Sequence, residues 1–207
     1  MFYFLKKFLL ILFFILCKNF ITSGQEDVIV IYDEIKPTDS EFIIENINIS
    51  ESYTKHKYFR KRIYKDSFLI KIEHYDTKKN LISNKYNSAI ICYKYDTSQK
   101  ILKIKLFNEN KEPYTDNFLG FSVLELYYNQ NKKVIKTLTK DKNGKLICLY
   151  PDVMDAYPAI IKYKYINNKI HILKYNENNK LIKKETVSKK PCIPYVSCGY
   201  YSKILKL

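Results

Sequence analysis

Five cysteines, three histidines and a scatter of acids are the side chains from which this 207-residue chain could build a reactive centre. Their spacing argues against one. His56, His74 and His171 stand singly among polar residues, and neither they nor Cys17, Cys92, Cys148, Cys192 and Cys198 fall at zinc-site intervals, so no metal is expected. Glycine occurs only at 24, 120, 144 and 199, and the chain holds no glycine-rich phosphate loop, no His-Glu-x-x-His helix and no Gly-x-Ser-x-Gly nucleophile turn. Glu109, Asp141 and Glu177 lie in polar turn contexts, where acids are favoured and solvated. No catalytic residue and no cofactor are assigned. A secreted enzyme acting on an envelope polymer is the alternative, and it needs convergent acids across a cleft.

Binding chemistry is better supplied. The chain carries 20 tyrosines and a formal charge of +15. Tyr127 falls on the polar side of its strand, and Lys94, Lys162 and Lys164 alternate with inward tyrosines. Aromatic faces beside cations can stack on rings and hold anions. These four residues are the candidate binding set. The competing account is plain architecture: inward tyrosines fill thin sheets, and lysines keep the wet face from edge pairing. Abundant Lys, Asn, Ile, Tyr and Phe with scarce Gly and Ala is also what an AT-rich coding sequence writes.

The elements that must position these residues begin after residue 24. "MFYFLKKFLLILFFILCKNFITSG" has Lys6 and Lys7, an apolar run from Phe8 to Leu16, and a small-residue end at Ser23 and Gly24, the layout of a signal peptide. The run is shorter than the roughly 20 residues of a transmembrane helix, so cleavage near Ser23 or Gly24 is the expectation, with an uncleaved anchor as the alternative. Cys17 follows Ile15 and Leu16, where a lipoprotein site would carry small residues, so acylation is not expected. Loss of residues 1–24 removes Lys6, Lys7 and Lys18 and no acid, leaving +12. Export to the periplasm, cell surface or medium makes disulfides chemically open to the remaining four cysteines. The close pair Cys192 and Cys198 in "PCIPYVSCGYY" is the expected bridge. A Cys92–Cys148 bond follows only by elimination.

The strands are written more than once. "AIICYKY" at 89–95 and "AIIKYKY" at 159–165 differ at one position, and "SVLELYY" at 122–128 lies between them, with Tyr95, Tyr128 and Tyr165 spaced by 33 and then 37 residues. Units of that length are supersecondary repeats. In each, alternation puts Ile91, Tyr93 and Tyr95, or Leu124, Leu126 and Tyr128, or Ile161, Tyr163 and Tyr165 on one face. Short β-branched and aromatic runs broken by Asn, Asp and Lys disfavour helix. Asn143-Gly144 is the best single turn signal, since both residues tolerate the positive φ of a tight hairpin. The expected fold is a single-domain, all-β antiparallel meander of tandem hairpins. It comprises a β-rich segment at 25–66, the repeat region at 67–182, and an aperiodic, disulfide-pinned tail at 183–207.

"GFSVLELYYNQ" at 120–130, "YD" at 95–96, "FNENKEP" at 107–113 and "KDKNGKL" at 140–146 resemble the unit of bacterial tandem β-hairpin proteins, the Tyr-Asp (Rhs-like) and variant MORN-type repeats. That resemblance implies surface, scaffold or binding roles without shared catalysis. The expected function is therefore an exported, non-enzymatic binding or structural module. Its expected partner is a protein or an anionic envelope polymer, with no nucleic acid and no membrane span once the signal is removed.

Overall fold

The computed structural model describes residues 27–39, 41–84, 87–98, 100–115, 121–148 and 158–188. The expected signal peptide and the expected Cys192–Cys198 bridge fall outside them. Eleven strands form one antiparallel sheet: β1 (Val28–Pro37), β2 (Phe42–Ile49), β3 (Phe59–Lys65), β4 (Phe68–Tyr75), β5 (Ile90–Tyr95), β6 (Ile101–Phe107), β7 (Val123–Tyr128), β8 (Val134–Lys140), β9 (Ile160–Ile166), β10 (Lys169–Tyr175) and β11 (Leu181–Val187). From β3 to β11 each strand pairs with its neighbours in sequence, so this stretch is the expected meander. The exception is at the start. β2 folds back along the outer side of β1, and a 3₁₀ turn at Glu51–Thr54 returns the chain to β3 on β1's other side.

Turn chemistry fixes where these strands stop. After β4, β6, β7, β8 and β10 the chain makes one type of loop, headed by Asp76, Asn108, Asn129, Asp141 and Asn176. The heading side-chain oxygen accepts the amide four residues on, at 2.8–3.0 Å. The heading amide donates to the carbonyl of that same residue. The residue just before it is left-handed: Lys79, Lys111, Lys132, Gly144 and Asn179 have φ of 59–80°. This is a type I turn closed by a bulge. It corrects the two-residue hairpin expected at Asn143-Gly144, because Gly144 alone takes positive φ and Asp141 heads the loop. An Asx side chain that satisfies the loop's amides makes the longer turn stable without a second left-handed residue.

Pairing between strands is uneven. β5–β6, β7–β8 and β9–β10 are zipped along most of their length, whereas β4–β5 pair only over Lys71–Glu73 with Ile90–Cys92, and β6–β7 and β8–β9 are equally short. Where these pairs part, strand carbonyls lose their ladder partners. A tyrosine hydroxyl meets each one: Tyr95 donates to Leu69 O (2.8 Å), Tyr128 to Ile101 O (2.8 Å) and Tyr165 to Val134 O (2.7 Å). Burial pushes the Tyr95 and Tyr128 phenols up to about 12, so all three are donors at any ordinary pH.

The core lies on the face these tyrosines share. Ile72, Ile91, Ile104 and Leu106 are fully enclosed there with Tyr93, Leu124, Leu126 and Phe121, and Tyr95 and Tyr128 pack at the margin. Ile161 occupies the position of Ile91 and Leu124 on the face that alternation assigns to all three, but it is only half-buried where they are enclosed. Its cross-strand partners are Thr137 and Lys174, which supply less apolar cover than Ile72 and Leu106 give Ile91.

Candidate binding face

The opposite face carries the lysines. Register places Tyr127, Lys136, Lys162, Leu173 and Lys184 in one row across β7 to β11. Lys164 lies two residues along β9 from Lys162, opposite His171. The structure thus brings Tyr127, Lys162 and Lys164 into one neighbourhood, with Tyr127 and Lys162 two strand spacings, about 10 Å, apart. Lys94 is not in it. It faces Lys103 on β6, and its row runs through Glu125 and Leu138 to reach β9 at Ile160.

The acids of this face are already engaged. Glu125 accepts Lys103 and Lys140, each at 2.8 Å, and the Tyr127 hydroxyl at 3.1 Å. Burial opposes its charge, but the two lysines outweigh that and pull its carboxyl down to about 2. Glu73 is held in the same way by Lys71 (2.8 Å) and the Tyr75 hydroxyl (2.9 Å). Lys94, Lys105, Lys136, Lys162, Lys164 and Lys184 make no ion pair among the described residues. Two of them lie over aromatic rings instead, Lys136 above Tyr127 (5.3 Å) and Lys162 above Tyr175 (4.6 Å). Lysines facing lysines, Lys94 with Lys103 and Lys136 with Lys162, repel one another. An anion laid across them relieves that repulsion.

Cys92 sits half-buried in the same face between Lys71 and Lys105, and both it and Cys148 are free thiols. Burial pushes both thiols up, which disfavours the thiolate form. Glu109, Asp141 and Glu177 lie in turns, where Glu109 accepts the Ser83 hydroxyl at 2.6 Å. Among the described residues no group of His, Cys, Asp and Glu could hold a metal ion, and no helix is long and apolar enough to cross a membrane.

Lys136 and Lys184 escaped the sequence reading because cross-strand register, which joins them to Lys162, is not written in any one strand. A second group also escaped it. Asp33 is fully buried on the core face between Arg60 and Arg62; Arg62 shares its row with Ile72 and Ile91, and Asp33 and Arg60 share theirs with His74. Arg62 grips both carboxylate oxygens at 2.8 Å and also donates to Asn48 Oδ1 (3.1 Å) and the Tyr64 hydroxyl (2.9 Å). Arg60 donates from Nε to Asp33 Oδ2 at 2.6 Å. A bulge in β2 turns left-handed Asn48 so that its amide also reaches Asp33 Oδ1, at 3.0 Å. Burial works against the charged carboxylate, yet the Arg62 hydrogen bonds and the Arg60 charge hold its pKa below the usual range. His74, opposite Arg60, stacks on Phe42 with ring centres 4.4 Å apart and donates from Nδ1 to Ser88 O at 3.1 Å. Burial and the Arg60 charge bring its pKa down to about 4, so it is neutral. One signal was available: Arg60 and Arg62 are the only arginines among 36 cationic residues. No family model, curated protein or solved structure matches the chain.

Proposed function

We propose that this chain is an exported, non-enzymatic β-hairpin module whose lysine and tyrosine face holds an anionic polymer of the cell envelope. The observation that carries the reading is the row Tyr127, Lys136, Lys162 and Lys184 with Lys164 beside it, in which no lysine pairs with an acid among the described residues. A row perpendicular to the strands offers a charge at intervals of about 5 or 10 Å, a spacing that suits a linear polymer better than a single small ion. The tyrosine rings set against Lys136 and Lys162 add flat apolar surface for the polymer's uncharged parts. Export is supported by residues 1–24, and the recurrence of one turn and one tyrosine hydrogen bond favours a single hairpin unit written several times, as in the Tyr-Asp and MORN-type classes.

The test uses dextran sulfate as polymer, with neutral dextran as control. At low salt the full chain should bind the sulfated form alone, and affinity should fall steeply as ionic strength rises and screens the lysines. Charge reversal at Lys136, Lys162 and Lys164 together should weaken binding at least tenfold, while the same change at Lys78, Lys142 and Lys145 in the turns should not. Equal loss from both triple variants would reduce the effect to net charge and remove the site.

A further inference from the structure

The buried arginine pair holds one more cation than its carboxylate requires. Arg62 alone satisfies both oxygens of Asp33 and engages four of its five N–H donors with Asp33, Asn48 and Tyr64. Arg60 is surplus to that arrangement. It is 4 % exposed and spends a single donor, Nε, on Asp33. Among the described residues its two Nη groups have no hydrogen-bond partner, and they are not among the fully buried, unpartnered polar atoms, which are Ser88 Oγ and Ser122 Oγ. The Nη edge therefore reaches solvent from a recessed position. Around it the formal charge is +1: Arg60 and Arg62 against Asp33, with His74 neutral on the neighbouring strand. Ser88, whose carbonyl holds His74, adds a buried hydroxyl without a partner.

A guanidinium edge presents two parallel N–H donors at the spacing of two oxygens of a carboxylate or phosphate, which an ammonium cannot do. Apart from Arg60 and Arg62 the chain uses lysine at every cationic position, so arginine at 60 answers a geometric need rather than a need for charge. We infer that Arg60 forms a recessed oxyanion site at the N-terminal end of the core face, taking a single carboxylate or phosphate group on its free Nη edge. The site is separate from the lysine row, which lies on the other side of the sheet.

Isothermal titration of the full chain with inorganic phosphate and with acetate, at constant ionic strength, tests this and separates the two anions. One saturable site is expected for at least one of them. Arg60→Lys keeps the charge but loses the fork, and should weaken that site at least tenfold. Lys94, Lys162 and Lys164 changed together to Gln should leave it intact. Absence of saturable binding, unchanged affinity in Arg60→Lys, or loss in the lysine variant would each overturn the site. Should Arg60→Lys fail to fold, phenylglyoxal modification of the unaltered chain decides. With only two arginines, peptide mapping reads each one, and the bound anion should slow modification of Arg60 but not of Arg62. Equal rates with and without the anion would reject the proposal.

Discussion

Two groups with depressed pKa values in the folded chain, His74 and Glu125, divide its acid response into separate windows. His74 falls to about 4 when folded, against an ordinary value near 6.5, so the unfolded chain binds the extra proton between those limits and acidification favours unfolding. Between pH 7 and pH 4 the loss should be on the order of 2–3 kcal/mol, and urea midpoints across that range should show it. In His74→Gln that slope should be absent; a slope that persists would assign it elsewhere. Glu125 at about 2 and Asp33, also lowered, act at lower pH: their stabilisation is complete above the ordinary carboxylate range and is lost as pH falls towards the folded values. Asp33→Asn leaves two guanidinium groups buried without a counter-charge, and should cost about 3–5 kcal/mol at neutral pH. A loss below 1 kcal/mol would show that water already serves the arginines.

At the scale of the strands, the tyrosine at or next to the end of β5, β7 or β9 holds each short junction. Tyr128→Phe keeps the ring and removes the bond to Ile101 O, leaving that carbonyl without its donor. The expected cost is about 1 kcal/mol, and Tyr95→Phe and Tyr165→Phe should match it. Equal chemical denaturation curves for Tyr128→Phe and the parent would mean that water replaces the phenol. The turns test the same logic from the backbone. Lys132 holds φ 60° with a side chain, so Lys132→Gly should stabilise, whereas Gly144→Ala at φ 80° should destabilise by about 1 kcal/mol. Nothing lies within 4 Å of the added methyl, so that cost is torsional alone.

Across the whole molecule the cover over the core face is unequal, and stability should follow it. Leu124 packs in the main cluster of β3 to β7, and Leu124→Ala should cost on the order of 2–5 kcal/mol. Ile161, half-buried at the equivalent place, should lose clearly less on the same truncation, and Lys94→Ala should change little. Equal losses at Leu124 and Ile161 would mean that the β8–β10 end is covered as well as the middle. A helix-dominated circular dichroism spectrum would contradict the sheet altogether.

Local periodicity determined the strands. The alternation of Ile91, Tyr93 and Tyr95 against Cys92 and Lys94 is a property of consecutive residues, because side chains of an extended backbone point to opposite sides. The two-faced meander and the polar place of Tyr127 followed from it directly. Turn length did not, since Asn143-Gly144 forms a tight hairpin or the end of a longer loop according to whether a side chain such as Asp141 caps the amides. Nor did the lysine row, which depends on register between strands far apart in sequence. The Asp33 cluster was the least legible. Arg60 and Arg62 alternate like any solvated strand residues, and only the strand order that sets β1 between β2 and β3 buries them against Asp33. Side-chain direction is local, whereas burial and charge pairing depend on which strand becomes the neighbour, and tertiary structure alone decides that.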